Sequence, residues 1–358
     1  MADRAGARSV VLDLFADRDT VGLCNAARRV CSDRALRFHG RKLLDAAAAL
    51  APRDASAGLV IGSGLEGRTR LLARLAEGRR LYGNTPETIA RLKEPASLLP
   101  LLDSLGIPRP AVRFEPPAEP RGWLAKQAGG AGGAHVRPAR SGLKARAGRY
   151  FQRFVAGRSM SVVFVADGRE ARIIGFNEQW PAGSGCPSFP FSYGGAVSDA
   201  HLPEPAKARV ETWVQRLTQH AGLAGLNGID FMLDDAEKPH FLEINPRPTA
   251  TAELYDERAT GGLFAWHVQA CEGRLPAGAL QSGDVRAHTI LYATAPMTVT
   301  RWVRWPGWVS DRPELGAAIA AGAPICTVHA AGNDARHVEL LLGECSRMIM
   351  RSIVPLAA

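Results

Sequence analysis

Two stretches of sequence decide the fold, NGIDFML at residues 227–233 and PHFLEINPRP at residues 239–248. Both are dominated by apolar residues, and the dipeptide Asp234-Asp235 begins the turn between them. This pattern is typical of two buried strands joined as a hairpin. Side chains alternate between the two faces of a strand, so Glu243 and Asn245 are expected on the same face.

Asp230, on the first strand of this hairpin, can reach the face that carries Glu243 and Asn245. Two carboxylates and an amide oxygen form a set of hard oxygen ligands, which suits Mg²⁺ or Mn²⁺. A hairpin with merely solvated acids explains the pattern poorly, because burying an unpaired carboxylate is costly. We therefore expect Asp230, Glu243 and Asn245 to bind the metal. Arg247, two residues further along the same side, can bind phosphate through two parallel hydrogen bonds.

A second motif, WLAKQAGGAGG at residues 123–133, joins a predicted strand to a glycine-rich loop. The strand delivers Lys126, and backbone N–H groups in such a loop can approach phosphates because no Cβ intervenes. The motif is not a P-loop, since the lysine precedes the glycines, and taken alone it could be a linker. Together with a metal set, it predicts phosphate binding by four glycines, namely Gly129, Gly130, Gly132 and Gly133.

The N-terminal third alternates predicted strands and helices. Residues 9–15 and 59–61 are short apolar runs, and the second leads through the turn GSGLEG at residues 62–67 into a helix. Strand, glycine turn and helix form the repeating unit of a parallel sheet. The turn also matches the dinucleotide pattern GxGxxG, but it does not follow the first strand and no acidic strand end comes about twenty residues later. It is better explained as a tight turn, or as a helix start that holds an anionic group.

The chain has 358 residues, of which 46% are hydrophobic and 22% are charged. This balance is typical of a soluble globular protein and excludes disorder, collagen and coiled coil as overall classes. No apolar run reaches the roughly 18 residues of a membrane span, and the N-terminus lacks the apolar core of a signal peptide. The six cysteines show neither CxxC pairs nor zinc spacing. We therefore expect a cytoplasmic protein with no membrane partner.

The net charge of +9 raises the possibility of nucleic-acid binding. However, only six of the 44 basic residues are lysines, and the arginines are scattered without a block of five like charges. A compositional bias, with some cations facing an anionic ligand, explains the charge better. We expect no nucleic-acid partner.

These motifs resemble the ATP-grasp superfamily, and the resemblance extends over most of the chain. It implies an α/β fold, α+β in parts, whose N-terminal domain at residues 1–106 contains a parallel sheet. A small lid at residues 107–154 carries the glycine loop. A central antiparallel-sheet domain at residues 155–283 carries the metal site, and a small β-rich module at residues 284–358 completes the chain.

The resemblance also implies roles for individual residues. Lys93 resembles the first nucleotide lysine, and Lys126 resembles the second, which contacts the phosphates of ATP. Arg247 and Lys126 are the implied catalytic residues. The adenine is expected to meet a hinge at the end of the lid and one side chain of the metal hairpin, and these contacts are Gln152, Arg153, Phe154, Val155 and Met232. Two positions depart from the pattern: Ser159 stands where many members have an acid for the ribose, and Gln127 replaces a proline.

Segments such as YGNTPETI and INPRPTATAEL are similar to a branch of predicted carboxylate–amine ligases, which resemble tyramine–glutamate ligase and are distantly related to biotin carboxylase. The resemblance implies that a carboxylate is activated by ATP as an acyl phosphate and joined to an amine. It further suggests glutamate-type ligation in the biosynthesis of one-carbon cofactors such as methanofuran or tetrahydromethanopterin, and a homodimer. A small-molecule kinase and a catalytically silent nucleotide-binding protein remain alternatives. The irregular segment 178–193 is expected to contact the substrates.

Overall fold

The computed structural model describes residues 1–32, 35–183, 186 and 189–353. In its N-terminal part short strands alternate with helices. The strands are β1 (Val10–Asp13), β2 (Ala26–Arg29), β3 (Cys31–Ser32), β4 (Ala35–Phe38), β5 (Leu59–Val60) and β6 (Leu81–Tyr82). The helices are α1 (Arg18–Leu23), α2 (Gly40–Leu50), α3 (Thr69–Ala76), α4 (Pro86–Lys93) and α5 (Pro95–Ser104). The pairs β1–β2 and β5–β6 are parallel and form two separate two-stranded sheets, whereas β3 and β4 pair in antiparallel fashion.

A small antiparallel sheet follows, with the strand order β7-β10-β8-β9. Its strands are β7 (Val112–Arg113), β8 (Trp123–Gln127), β9 (Arg137–Pro138) and β10 (Arg149–Arg153). The glycine-rich loop leaves the end of β8, so the lysine and the glycines are held at one corner of this sheet. The predicted strands at residues 122–126 and 150–155 are therefore present, shifted by one or two residues.

The largest element is an eight-stranded antiparallel sheet with the order β15-β14-β11-β12-β13-β16-β20-β18. Its strands are β11 (Arg158–Asp167), β12 (Ala171–Pro181), β13 (Tyr193–Val197), β14 (Ala224–Leu233), β15 (Pro239–Asn245), β16 (Val285–Tyr292), β18 (Val309–Ser310) and β20 (Pro324–Gly332). A separate antiparallel pair is formed by β17 (Met297–Thr298) and β19 (Ala318–Ile319). The predicted hairpin is β14 and β15. The sheet is continuous across the expected boundary between residues 283 and 284, because β13, before the boundary, pairs directly with β16, after it.

Two layers of helix cover the large sheet, and the alternation of side chains along β11 shows why. Val162 and Phe164 lie in one buried cluster with residues of α6 (Glu204–Ala221). Val163 and Val165 lie in another, with residues of α7 (Glu253–Asp256) and α8 (Leu263–Cys271). Successive residues of a strand point to opposite faces, so both faces of this part of the sheet are buried.

Beyond these layers, a 3₁₀ turn at Ala250–Ala252 leads into α7, and α9 (Ala335–Ile353) packs on β16 and β20 near the C-terminus. No helix in the described part of the chain is long and apolar enough to cross a membrane. The division into four domains stays a prediction, although the two antiparallel sheets fall on either side of the boundary expected between residues 154 and 155.

The anchor of the hairpin is Phe231, which is completely buried next to Asp230 and packs edge-on against Trp213 with ring centres 6.3 Å apart. We expect Phe231→Ala to destabilise the protein by about 3–5 kcal/mol, the usual cost of emptying a buried aromatic site. Urea unfolding followed by tryptophan fluorescence measures this loss. Leu340→Ala is the control, because this leucine is 64% exposed, and we expect it to change stability by less than about 0.5 kcal/mol. Equal effects of the two substitutions would contradict this view of the core.

Candidate functional site

The polar side chains of the hairpin converge as the sequence predicts. Asp230 and Glu243 are directly opposite each other on β14 and β15, and the ladder shifts register immediately after Asp230. The Asp230 carboxylate accepts hydrogen bonds from Asn245 Nδ2 at 2.9 Å and from Gln179 Nε2 at 2.9 Å. Two carboxylates and an amide therefore share one face of the hairpin, and this set of oxygen atoms suits Mg²⁺. Metal binding by these residues stays a prediction.

Helix α4 delivers Lys93 to this cluster. The helix begins after Thr85, whose hydroxyl accepts a hydrogen bond from Thr88 N at 3.2 Å, and has Pro86 in its first turn. Two turns later, Lys93 Nζ donates to Asn245 Oδ1 at 3.0 Å and lies 3.5 Å from Glu243 Oε2. The lysine is only 8% exposed, so its charge is directed at the hairpin and away from solvent.

Lys126 approaches from the small sheet and is also 8% exposed. Its Nζ donates to Gln152 Oε1 at 3.0 Å and lies 5.8 Å from the centre of the Tyr150 ring. Burial works to lower the pKa of Lys126, but Tyr150 and Glu243 outweigh it, so that the pKa is raised. Lys126 is therefore a permanent positive charge near the carboxylates of the hairpin.

The two carboxylates titrate in opposite directions. Burial, reinforced by the neighbouring carboxylate of Glu243, raises the pKa of Asp230. Burial also works to raise the pKa of Glu243, but the charges of Lys93 and Lys126 outweigh it and the pKa is lowered. Lys93 and Lys126 thus compensate the charge of Glu243, whereas the charge of Asp230 is not fully compensated. A divalent cation would supply the missing charge, so the site fits the predicted metal in charge as well as in ligand type.

The structure adds a residue that the sequence analysis missed. Glu66, in the GSGLEG turn, is buried at 3% exposure and accepts a hydrogen bond from Arg247 Nε at 2.5 Å. Its second oxygen accepts from Gly64 N at 2.6 Å. Burial would raise the pKa of Glu66, but Arg247 outweighs it and the pKa is lowered. The sequence signal for this residue is an acid between two glycines of the turn, where only the backbone was expected to have a role.

Arg247 lies within the predicted cluster. Its Nη1 donates to Pro248 O at 2.9 Å, and its Nη2 is 3.5 Å from Asn245 Oδ1. Glu66 therefore holds one edge of the guanidinium, while the other edge is close to Asn245, one of the predicted metal ligands. Buried ion pairs of this kind fix geometry, because either partner alone would be an uncompensated charge.

The glycine-rich loop packs tightly against two other segments. Gly129 and Gly67 are so close that a Cβ at Gly129 would lie 2.4 Å from Gly67 Cα. A Cβ at Gly133 would lie 1.8 Å from the carbonyl oxygen of Phe191, and Tyr193 N donates to Gly132 O at 3.0 Å. Gly129 and Gly133 have φ of +68° and +71°, where glycine is favoured. The loop is thus closed over the GSGLEG turn and the end of the 178–193 segment.

A cavity lies between α4, α5, the small sheet and β15. Its lining combines apolar side chains with the polar groups of the site, including Leu98, Leu102, Val112, Lys93, Tyr150, Gln152, Gly129, Gly130 and Glu243. His135 also lines it, and its buried Nδ1 has no hydrogen-bond partner in the described part of the chain. Burial, helped by the charges of Lys126 and Lys93, lowers the pKa of His135. Apolar walls with a few converging polar groups are typical of a small-molecule site.

The expected adenine contacts are only partly at this cavity. Gln152 lines it, whereas the other expected contacts are absent from its described lining: Arg153, Phe154, Val155 and Met232. The backbone N–H groups of Arg153 and Phe154 donate to Ala111 O and Gly122 O, and the Phe154 side chain is 49% exposed. Adenine binding by this hinge stays a prediction.

The 178–193 segment is described at residues 178–183, 186 and 189–193. Glu178 forms an ion pair with Arg158 at 2.6 Å near the surface. The predicted substrate contacts of Ser184, Gly185, Pro187 and Ser188 lie outside the described residues.

Comparison with known proteins agrees with this geometry. A family model described as an ATP-grasp domain matches residues 96–251, which include Lys126, the glycine loop and the whole hairpin of β14 and β15. No match was found among curated proteins. By the family model, residues 96–251 of the chain match the ATP-grasp domain family.

Solved structures of similar fold extend the match to nearly the whole chain. Biotin carboxylase from Campylobacter jejuni, solved as a β-γ-ATP complex, is 13% identical with a TM-score of 0.74, over 99% of this chain and 87% of that one. L-amino acid ligase from Bacillus licheniformis is 14% identical with a TM-score of 0.68, over 97% and 92%. N5-carboxyaminoimidazole ribonucleotide synthetase from Thermotoga maritima is 15% identical with a TM-score of 0.65, over 97% and 93%. At these identities the likeness establishes a shared fold.

The raised pKa of Asp230 makes a testable prediction about stability. The folded, metal-free chain holds this proton more tightly than the unfolded chain, so stability falls as the pH rises above the ordinary aspartate pKa. Asp230→Asn removes this penalty, and its amide can donate to Gln179 once that side chain flips. In a chelating buffer we expect a Tm higher by several degrees at pH 8 and by less at pH 5, since about 1 kcal/mol shifts the Tm of a large domain by roughly 2–4 °C.

The matched control is Asp235→Asn in the exposed turn of the same hairpin, which should leave the Tm unchanged at both pH values. Thermal unfolding followed by fluorescence measures both variants. A lower Tm for Asp230→Asn at pH 8 would show that the carboxylate is stabilising without metal.

Proposed function

We propose that the chain is an ATP-dependent ligase that activates a carboxylate as an acyl phosphate and joins it to an amine, with release of ADP and phosphate. The observation that supports this most is the convergence of Asp230, Glu243 and Asn245 with two buried lysines beside one cavity. Few reactions other than phosphoryl transfer need an oxygen ligand set and several cations in one place.

In this proposal the oxygens of Asp230, Glu243 and Asn245 would hold Mg²⁺, which would supply positive charge to neutralise the phosphates. Lys126 binds the phosphates from the side of the small sheet. Lys93, which already contacts two of the three metal ligands, binds them from the opposite side. The cavity between α4, α5 and β15 holds the rest of the nucleotide.

Two steps follow from these positions. An oxygen of the substrate carboxylate attacks the γ-phosphorus of ATP, and ADP leaves, so that an acyl phosphate forms. The amine nitrogen then attacks the acyl carbon, the C–O bond to phosphate breaks, and the amine loses its extra proton to solvent. Arg247 is placed to stabilise negative charge on the acyl phosphate and on the oxyanion, because Glu66 fixes its guanidinium beside Asn245.

The closed glycine loop supports this proposal. An acyl phosphate hydrolyses if water reaches it, so the site must be covered during the reaction. The loop touches both the GSGLEG turn and the end of the 178–193 segment, and together these three segments can cover the site. The loop must open for substrates to enter, and its glycines allow that movement.

The finer parts of the proposal rest on resemblance. The names of L-amino acid ligase and N5-carboxyaminoimidazole ribonucleotide synthetase place carboxylate and amine chemistry on the same fold, but the fold alone does not assign substrates. Glutamate-type ligation in one-carbon cofactor biosynthesis, a likeness to tyramine–glutamate ligase and a homodimer are further predictions of the sequence. Glutamate is therefore the first substrate to test, and a homodimer is the first oligomeric state to test.

The test is a screen for ADP release. The purified chain, Mg²⁺ and ATP are combined with carboxylates, each paired with amines, with glutamate among the first, and the products are identified by mass spectrometry. We expect ADP release that requires both substrates, and an amide product. Glu243→Gln should lower turnover by at least about a hundredfold, because a metal ligand and its charge are lost. Glu237→Gln, on the exposed turn of the same hairpin, is the matched control and should leave turnover unchanged.

Two outcomes would overturn the ligase proposal. ADP release without any amine, together with a phosphorylated product, would indicate a kinase. Undiminished turnover in Glu243→Gln would show that the hairpin is not the reaction centre.

Glu66 gives a second prediction for the same reaction. Its two carboxylate oxygens accept hydrogen bonds from Arg247 Nε and Gly64 N, so we expect it to act by positioning Arg247. Glu66→Gln should lower kcat by roughly tenfold to a hundredfold, the cost of a misplaced catalytic group, while the KM for ATP changes much less. Glu66→Asp should recover part of the loss.

A double-variant cycle with Arg247→Met separates positioning from a general loss of stability. If Glu66 acts through Arg247, Glu66→Gln should have almost no further effect on kcat once the arginine is absent. Additive losses would contradict the positioning role.

A further inference from the structure

A second cluster of ligand-type side chains lies away from the hairpin. It consists of Glu253 at the start of α7, His288 on β16 and His329 on β20. The two histidines are directly paired across the neighbouring antiparallel strands, and α7 places the glutamate next to them. One ligand atom from each of the three residues lies within 4.8 Å of the other two.

The inner ring nitrogens of both histidines face the same carboxylate oxygen. Glu253 Oε1 lies 2.6 Å from His288 Nδ1 and 3.9 Å from His329 Nδ1. The outer nitrogens are fixed by hydroxyls, since His288 Nε2 is 2.6 Å from Tyr193 Oη and His329 Nε2 is 2.6 Å from Ser310 Oγ. Histidines that bind metals almost always have their second nitrogen held by such a partner, which fixes the ring orientation.

His288 supplies an independent observation. Its side chain is only 1% exposed, yet its Nδ1 has no hydrogen bond of acceptable geometry in the described part of the chain. The nearest acceptor is Glu253 Oε1, 2.6 Å away, which pairs with this nitrogen without a well-aligned hydrogen bond. A cation between the three side chains would give this nitrogen a well-directed partner, which the ion pair with Glu253 does not.

We propose that Glu253, His288 and His329 form a site for a divalent transition metal of the zinc type. Two imidazoles and one carboxylate suit Zn²⁺, whereas Mg²⁺ takes oxygen ligands. A tetrahedral zinc ion with ligands at about 2.0–2.1 Å holds neighbouring ligand atoms roughly 3.3 Å apart. The Glu253–His288 pair must therefore open from 2.6 Å by about 0.7 Å, and the Glu253–His329 pair must close from 3.9 Å by about 0.6 Å. The Glu253 side chain is 42% exposed and that of His329 is 32% exposed, so the ion can enter and water can take the fourth position.

The cluster is connected to the closed loop through one residue. Tyr193, whose hydroxyl holds His288, donates its backbone N–H to Gly132 of the glycine-rich loop at 3.0 Å. A bound metal would fix the His288 ring and with it the Tyr193 side chain. The site therefore belongs to the framework against which the loop closes, and it does not require the proposed ligase reaction.

The test uses the full-length chain, stripped with a chelator and titrated with Zn²⁺ in the absence of ATP. Affinity is measured by competition with a chromophoric chelator, and Co²⁺ replaces Zn²⁺ for absorption spectroscopy. We expect one tight equivalent of Zn²⁺, and visible Co²⁺ bands typical of a low-coordinate nitrogen and oxygen site. His329→Gln and Glu253→Gln should each weaken binding by more than about tenfold, and Tyr193→Phe by roughly tenfold to a hundredfold.

Two controls separate this site from other metal binding. His201→Gln removes an exposed histidine elsewhere, and Glu243→Gln alters the hairpin, so both should leave Zn²⁺ affinity unchanged. His329 lies partly at the surface, so its variant can be checked for folding by its Tm. Absence of a tight equivalent in the unmodified chain, or unchanged affinity in folded His329→Gln, would overturn the proposal. Loss of binding in Glu243→Gln alone would place the ion at the hairpin and would equally overturn it.

Discussion

The pairing of Asp230 with Glu243 across β14 and β15 is the constraint on which the rest of the site depends. Two carboxylates on one face repel each other, so such a pair needs counter-charges from elsewhere. Helix α4 brings Lys93 and the small sheet brings Lys126, while Arg247 approaches from the segment that follows β15. Each part of the fold is thereby tied to one hairpin, and the geometry of the site is a consequence of how these charges are balanced.

The balance is incomplete without a cation. Glu243 has two lysines nearby and titrates low, whereas Asp230 titrates high because burial and its neighbour disfavour its charge. The raised pKa favours the protonated form of Asp230 in the metal-free chain. This arrangement would couple metal binding to the charge state of the hairpin, which supports the proposal that the cluster is a metal site.

The features that depend on residues close together in the sequence could be predicted from the sequence. Strand alternation placed Glu243 and Asn245 on one face, and the strand before the glycine run identified Lys126. Contacts between distant segments could not be predicted in the same way. Glu66 and Arg247 are 181 residues apart in sequence, and the approach of Gly67 to Gly129 depends on how the turn and the loop pack.

The same limit explains the His288 and His329 cluster, because no short spacing links two strands that become neighbours only in the folded sheet. It also explains why the predicted C-terminal module does not have a sheet of its own. The sequence pattern indicates a module that starts at residue 284, but β16 of that module pairs with β13, which precedes residue 283. The hinge was expected from the resemblance alone, because the local sequence pattern gives no sign of it. In the structure the backbone N–H groups of Arg153 and Phe154 donate to Ala111 O and Gly122 O, next to the ends of the small sheet.

The central claim is that the hairpin holds a metal ion and a nucleotide together. A crystal structure of the chain with Mg²⁺ and a non-hydrolysable ATP analogue tests it most directly. The account predicts a metal ion about 2.1 Å from oxygens of Asp230, Glu243 and Asn245, with the phosphates contacting Lys126. A nucleotide bound elsewhere, or a metal ion ligated by other residues while Lys93 stays bound to Asn245, would contradict it.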